Sequence, residues 1–112
     1  MKLITAIIRE VQLDKVREAL IVAEITRITV CRVSGHGQQR IEEMYRGQRI
    51  VPDLIPKIKI EVIVPDSIID QVCDIIEKTA KTGKIGDGKI FISNVDDAVR
   101  IRTGQRGEGA IS

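Results

Sequence analysis

A segment of alternating side chains near the middle of the chain limits the folds that it can adopt. Every second residue from Ile58 to Val64 is a large aliphatic, and the residues before and between them are charged as far as Glu61. Because successive side chains of a strand point to opposite faces, the pattern predicts a strand with one face in a hydrophobic core. Aromatic residues make up only 2% of the 112 residues, so that core must be aliphatic.

Three further strands and two helices are predicted by similar patterns. Residues 2–9, 28–33 and 89–93 are rich in β-branched residues. Apolar residues recur at helical spacing over about 13–24 and again from 68 to 80. The order β-α-β-β-α-β is that of an α+β ferredoxin-like sandwich, in which both helices cover one face of the sheet. We expect the whole chain, 1–112, to form one domain.

The other face of the predicted sheet still carries large aliphatic side chains. A monomer would leave that patch in water, which monomeric proteins rarely do. The pattern therefore predicts a homo-oligomer, without giving the number of subunits.

The predicted elements have end signals and one long connection. Asp66 or Ser67 is expected to cap the second helix, and Gly83 to end it. Residues 36–56 have no clear period, so we expect a long loop between strands 2 and 3, which is often a functional feature. The tail from Thr103 is rich in glycine and charge and is expected to be mobile unless a partner orders it.

A glycine- and lysine-rich segment, residues 82–89, separates the last helix from the last strand. Glycines let the backbone turn sharply and approach a ligand closely, and successive exposed N–H groups can bind an anion. If the chain is extended at residues 100–102, Arg100 and Arg102 share one face, and guanidinium groups suit phosphate. The C-terminal third, residues 95–112 included, is therefore interpreted as part of a polyphosphate site.

Two other interpretations of this segment are possible. Gly83 to Lys89 fits the first part of a Walker A motif, but Ile90 stands where a serine or threonine is needed, and a strand follows instead of a helix. A helix cap at Gly83 followed by a hairpin-like turn would need no ligand at all.

Composition excludes some classes of protein. A net charge of +2 is too balanced to indicate a nucleic-acid or anionic-membrane partner. Cys31 and Cys73 lie in apolar runs and are expected to be buried thiols. The sequence has no signal-peptide pattern and no apolar run near 18 residues, so we expect a soluble cytoplasmic protein without membrane insertion.

Several motifs together resemble one family. The most specific are Thr82 to Phe91, with its Gly-Asp-Gly-Lys-Ile-Phe end, and Ile101 to Gly104. Supporting matches lie at residues 6–9, 35–37, 45–47 and 56–61. Across essentially the whole chain they resemble the PII signal-transduction proteins of nitrogen metabolism. That resemblance implies a homotrimer in which ATP and ADP compete for clefts between neighbouring subunits.

The resemblance also implies the residues of these clefts. The nucleotide would be bound by Ile7, Thr29, Gly35, Gly37, Gln38, Gln39, Glu61, Gly86, Asp87, Gly88, Lys89, Arg100 and Arg102. The effector 2-oxoglutarate would be bound by Gln39, Arg40, Ile41, Lys57 and Gly86. Gln39 would join Mg²⁺, and Lys57 would pair with a carboxylate. Because ATP and 2-oxoglutarate are both anionic, the effector should require Mg²⁺ with ATP, and ADP should not support it.

The long loop would carry the contacts to a protein target. The resemblance implies that its docking residues are Tyr45, Arg46, Gly47 and Arg49. Targets of this family include ammonium transporters and nitrogen-assimilation enzymes, so membrane association would arise only through a transporter partner. In channel-blocking relatives the arginine matching Arg46 enters the pore.

Three positions depart from the family pattern. Gln38 stands where an arginine is usual, so the phosphate contact made by that arginine in the family is not predicted here. Ile41 stands where a glycine is expected, in a loop one residue shorter, so the 2-oxoglutarate pocket is expected to be reshaped. Ile50 replaces the tyrosine that many bacterial members have uridylylated. Because Tyr45 is the only hydroxyl side chain between Gly35 and Pro65, we expect no uridylylation or serine phosphorylation of this loop.

Two other function classes are weaker. A small enzyme acting on a phosphorylated substrate, or a slow ATPase, could use the same phosphate-binding loop. No nucleophile or acid–base pair with suitable spacing supports it, and the only histidine, His36, is expected to be a solvated loop residue. A nucleic-acid-binding module would need aromatic stacking platforms, and the chain has only Tyr45 and Phe91.

Overall fold

Four strands and two helices make up the regular structure of residues 1–36 and 53–112, which are the residues that the computed structural model describes. The elements are β1 (Lys2–Arg9), α1 (Leu13–Val22), β2 (Thr29–Gly35), β3 (Ile55–Val64), α2 (Ile69–Ala80) and β4 (Gly88–Asn94). The strands form one sheet in the order β2-β3-β1-β4, and every neighbouring pair is antiparallel. This is the predicted ferredoxin-like α+β arrangement, so the fold class is confirmed.

The hydrophobic core lies between the helices and one face of the sheet. The alternate side chains predicted to point inward on β3, from Ile58 to Val64, are at most 4% exposed. They pack with alternate residues of β1 and with one stripe of each helix, namely Ile4, Ala6, Ile8, Val16, Leu20, Val72 and Ile76. The core is entirely aliphatic, as the composition requires. Burying each of these larger side chains stabilises the fold by about 1.5–3 kcal/mol.

The opposite face of the sheet, here called the open face, is not covered by either helix. It carries the other alternate residues of each strand. In the strand register, Ile7 of β1 lies between Lys59 of β3 and Lys89 of β4. One row further along, Thr5 lies between Glu61 and Phe91. The open face thus combines aliphatic side chains with lysines and a glutamate.

The caps predicted for α2 are wrong. A short 3-10 turn, Asp66–Ile68, precedes the helix, and no side chain caps either segment. The Asp66 carboxylate instead pairs with the amino group of Met1 at 3.0 Å. At the other end the helix stops at Ala80, three residues before Gly83, because Lys81 is already extended. Similarly, the first helix ends at Val22, not near residue 24.

The extended conformation predicted for Arg100 to Arg102 is also wrong. Residues 101–103 form a turn, and the Gly104 N–H donates to the Arg100 carbonyl at 2.7 Å. Gly104 adopts a φ of 72°, a value that glycine reaches without strain. The tail then folds back through a bridge between Val99 and Arg106 and a 3-10 turn, Gly107–Ala110. The expectation of a mobile tail is therefore wrong as well.

The two cysteines are free thiols, but they are not buried as predicted. Cys31 is exposed and Cys73 is partly exposed. Cys31 lies on β2, an edge strand, opposite Lys59 of β3. An edge strand has a neighbour on one side only, so an apolar sequence does not ensure burial there.

Gly88, the first residue of β4, is expected to tolerate no side chain. It has a φ of 106°, and an added Cβ would overlap the backbone carbonyl of Ile7. We expect Gly88→Ala to lower the melting temperature far more than Gly83→Ala, as measured by thermal denaturation of both variants. Gly83 is the matched control because its φ is also positive, at 86°, but no heavy atom lies within 4 Å of its added Cβ. Equal losses would contradict the role assigned to the Ile7 contact.

Candidate functional site

The segment between α2 and β4 is organised by the carboxylate of Asp87. The backbone N–H groups of Thr82 and Gly83 each donate to it at 2.9 Å. The Thr82 hydroxyl also donates, and Arg9 Nε donates at 3.0 Å. These donors, with the Thr82 hydroxyl foremost, hold the pKa of Asp87 well below its usual range. Asp87 is therefore a charged side chain that closes its own loop.

Two cationic side chains of the sheet donate hydrogen bonds to backbone carbonyls of this loop. Arg9 Nη2 donates to the carbonyl of Ile85 at 2.6 Å, and Lys57 Nζ donates to the carbonyl of Gly86 at 2.6 Å. Arg9 and Lys57 are opposite each other in the β1–β3 register. Desolvation by burial, followed by the nearby Arg9 charge, lowers the pKa of Lys57, and the Asp87 charge partly offsets this. The loop is thereby fixed to the ends of two central strands.

Arg9 and Thr82 were missed as organising residues by the sequence interpretation. Both lie inside motifs that carry the family resemblance, but the motifs alone assign them no function. The available signal was Arg9 itself, a charge that directly follows the apolar residues 6–8 of β1. Thr82 is separated from Asp87 by only four residues, which is a spacing typical of a side chain that closes a turn.

Lys89 follows this loop and is available to a ligand. It is exposed, and within residues 1–36 and 53–112 it makes no ion pair or side-chain hydrogen bond. Gly86 and Gly88 precede it, with φ values of 101° and 106°. These positive values turn the backbone sharply, and because glycine has no side chain, a ligand can approach this backbone closely. A pocket of about 250 Å³ is lined by this segment together with Ile7 and the end of α2. The charged residues that line this pocket are Glu77, Lys81, Asp87 and Lys89. Because Asp87 is paired with Arg9, the two lysines outnumber Glu77 and the pocket has a small surplus of positive charge.

A second pocket, of about 390 Å³, contains two more of the predicted nucleotide residues. Thr29 and Glu61 lie opposite each other on β2 and β3, and Glu61 also pairs with Lys59 at 3.7 Å. Leu3 and Ile63 provide apolar walls, and the tail residues Ala110 and Ile111 close one side.

The structure brings several predicted site residues together on one surface. Five of them are alternate strand residues of the open face: Ile7, Thr29, Lys57, Glu61 and Lys89. Gly86, Asp87 and Gly88 lie at its edge, and Gly35 ends β2 opposite Ile55. The ligand roles of these residues stay predictions.

The two tail arginines are placed differently. Arg100 is held by residues of its own tail, and Arg102 is exposed in the turn. The remaining predicted residues lie outside the described part of the chain: Gly37, Gln38, Gln39, Arg40, Ile41, Tyr45, Arg46, Gly47 and Arg49.

No group of three or more histidine, cysteine, aspartate or glutamate side chains in residues 1–36 and 53–112 is arranged to hold a metal ion. In the same residues, no helix has the length and apolar character needed to cross a membrane.

Replacing Asp87 by asparagine should change how stability depends on pH. Because folding lowers the pKa of Asp87, its charged form favours the folded chain above the unfolded pKa of about 3.9, and this contribution is lost as the pH falls through and below that value. We expect Asp87→Asn to lower the melting temperature at pH 7 and to reduce its decline between about pH 5 and pH 3. Asp14→Asn is the control, since Asp14 is on the surface and its ion pair among the described residues is with Arg17, at 3.4 Å. Parallel pH profiles for the wild type and Asp87→Asn would contradict this assignment.

Comparison with known proteins identifies the family. The family model described as Nitrogen regulatory protein P-II matches residues 1–105. "Nitrogen regulatory protein P-II 1" of Escherichia coli strain K12 is 52% identical over 112 residues, which cover 99% of this chain and 100% of that protein. "Nitrogen regulatory protein P-II" of Haemophilus influenzae and of Bradyrhizobium diazoefficiens are 49% and 46% identical with the same coverage. The chain therefore belongs to the nitrogen regulatory protein P-II family.

Proposed function

We propose that this chain is a signalling protein of nitrogen metabolism that binds ATP or ADP and regulates a protein target. Its family and its relatives are named as nitrogen regulatory proteins, which supports a regulator and not an enzyme. In this proposal the long connection between β2 and β3, which is shorter than the predicted 36–56 because β3 already begins at Ile55, contacts the target, such as an ammonium transporter or a nitrogen-assimilation enzyme. The protein acts in the cytoplasm.

The observation that carries nucleotide binding is the arrangement around Asp87. A carboxylate near a phosphate site would repel the ligand if it were free. Here Asp87 accepts four hydrogen bonds from Thr82, Gly83 and Arg9, so its charge is compensated within the loop. Lys89 is left exposed beside the bare backbone of Gly86 and Gly88. Lysine and turned glycine backbone are a typical combination for binding phosphate.

The open face supports assembly of subunits. It exposes Phe91 by 54% and carries Leu3, Ile7 and Ile63 half-buried. Leu3 and Ile63 are opposite each other in the strand register, and exposed apolar side chains grouped on a sheet face favour a partner that covers them. We propose that three copies pack through this face, so that the predicted nucleotide residues line clefts between neighbours.

Lys57 supports binding of 2-oxoglutarate together with Mg²⁺ and ATP. Its ammonium group is half-buried and lies 2.6 Å from the Gly86 carbonyl, next to the proposed phosphate site. Burial and Arg9 lower the pKa of Lys57, and the negative charge of an added carboxylate would oppose this shift by favouring the protonated ammonium. The Mg²⁺ ligand in this proposal is Gln39, which lies outside the described residues.

Replacing Lys89 by glutamine should weaken ATP binding. Loss of a charged hydrogen bond to phosphate costs roughly 1.5–3 kcal/mol, so we expect a dissociation constant roughly 10- to 100-fold higher by titration calorimetry. Lys78→Gln, an exposed lysine of α2, is the control and should bind as the wild type does. The titrations use ATP, ADP and AMP with and without Mg²⁺ and 2-oxoglutarate. No heat with any adenine nucleotide would reject nucleotide binding.

Introducing a charged side chain on the open face tests whether subunits assemble through it. Phe91→Glu places a carboxylate on that face, where burial against another subunit would be costly. We expect light scattering to give the mass of three 12.5 kDa chains for the wild type and a smaller mass for Phe91→Glu. Val22→Glu, at an α1 position that is 83% exposed, should stay trimeric. A wild-type monomer would contradict the proposed assembly.

A further inference from the structure

Arg100 is occupied by the chain's own tail. Its Nη2 donates to the main-chain oxygens of Ser112 at 2.6 Å and Gly109 at 3.3 Å. Its Nη1 lies 3.4 Å from the side-chain oxygen of Gln105, and its backbone N–H donates to the Gln105 carbonyl at 2.8 Å. Each of these four acceptors belongs to residues 105–112, here called the tail segment.

Two further anchors hold the tail segment in this position. At its start, the Asp97 carboxylate accepts from Arg106 at 2.8 Å and from the Gly107 N–H at 3.1 Å. These bonds help hold the pKa of Asp97 below its usual range. At its end, Ile111 is half-buried and lines the same pocket as Thr29 and Glu61. The tail segment therefore reaches from Arg100 to the open face.

We propose that the tail segment competes with the nucleotide, as an inhibitory contact within the chain. The inference rests on the proposed function, in which Arg100 contacts phosphate and Thr29 and Glu61 contact the nucleotide. The tail segment occupies the Arg100 guanidinium through main-chain oxygens, and it closes one side of the pocket that contains Thr29 and Glu61. Nucleotide and docked tail segment then exclude each other.

The chemistry of the two acceptors gives the direction of the switch. The tail segment offers Arg100 the main-chain oxygens of Gly109 and Ser112 and the side-chain oxygen of Gln105, whereas a triphosphate offers several charged oxygens that can pair with Arg100 and Arg102 together. ATP can therefore displace the tail segment, but its apparent affinity is reduced by the fraction of molecules in which the tail is docked. Such coupling is reciprocal, so bound ATP also releases the tail segment. Arg102 is exposed and makes no ion pair within the described residues, so it is not blocked in this way.

Loosening the far anchor tests the competition. Ile111→Ser removes the apolar contact without adding charge, and we expect severalfold tighter ATP binding by titration calorimetry. Ile101→Ser is the matched control, because Ile101 is fully exposed, and it should leave the affinity unchanged. In an Arg100→Ala background, Ile111→Ser should give a smaller gain, because the contested guanidinium is gone.

Hydrogen exchange of the tail amides provides an independent measurement. We expect exchange at residues 107–111 to rise in Arg100→Ala without nucleotide, and to rise in the wild type when ATP is bound. If the wild type binds ATP but the tail amides exchange no faster, or Ile111→Ser binds no more tightly, the competition is refuted while the proposed function stands. If neither the wild type nor Ile111→Ser binds ATP, the proposed function fails and this inference fails with it.

Discussion

The site depends on the ion pair and hydrogen bonds that Asp87 makes with Arg9, Thr82 and Gly83. A loop rich in glycine has high conformational entropy, so it needs specific contacts to keep one shape. Asp87 supplies them from inside the loop, and Arg9 and Lys57 supply them from the sheet. As a result, an acidic residue in a proposed phosphate site orders the backbone instead of repelling the ligand.

The two faces of the sheet carry different residues: one face forms the core, and the other carries most of the candidate site. One set of alternate residues on β1 and β3 forms the aliphatic core with the helices, and the other set forms the open face. Substitutions at Lys57, Lys59 or Glu61 would therefore change the charge of the open face without changing the packing of the core. The proposed assembly would use the same open face, and a face that served both assembly and binding would need both aliphatic and charged residues.

The fold could be predicted from the sequence because the periodicity of β3 and the two helical stripes are local signals. The alternation from Ile58 to Val64 correctly gave the buried face. Features that depend on distant contacts could not be predicted. The cap expected from Asp66 failed because Met1, 65 residues away, uses its carboxylate, and the tail was misjudged because Asp97 and Arg100 bind residues that follow a turn at Gly104.

The candidate site was predictable in part for the same reason. Lys89 and the glycines of residues 82–89 predict an anion site by composition. The hydrogen-bond partners of Asp87 could not be predicted in this way. Arg9 lies 78 residues from Asp87, and only the sheet brings them together. The face on which Arg9 and Lys57 lie is fixed by how β1 and β3 are aligned. A slip of one residue between these strands would turn one of the two cations toward the helices. Correct strand alignment during folding is thus a condition for the observed shape of residues 82–87, even though this loop itself contains no strand.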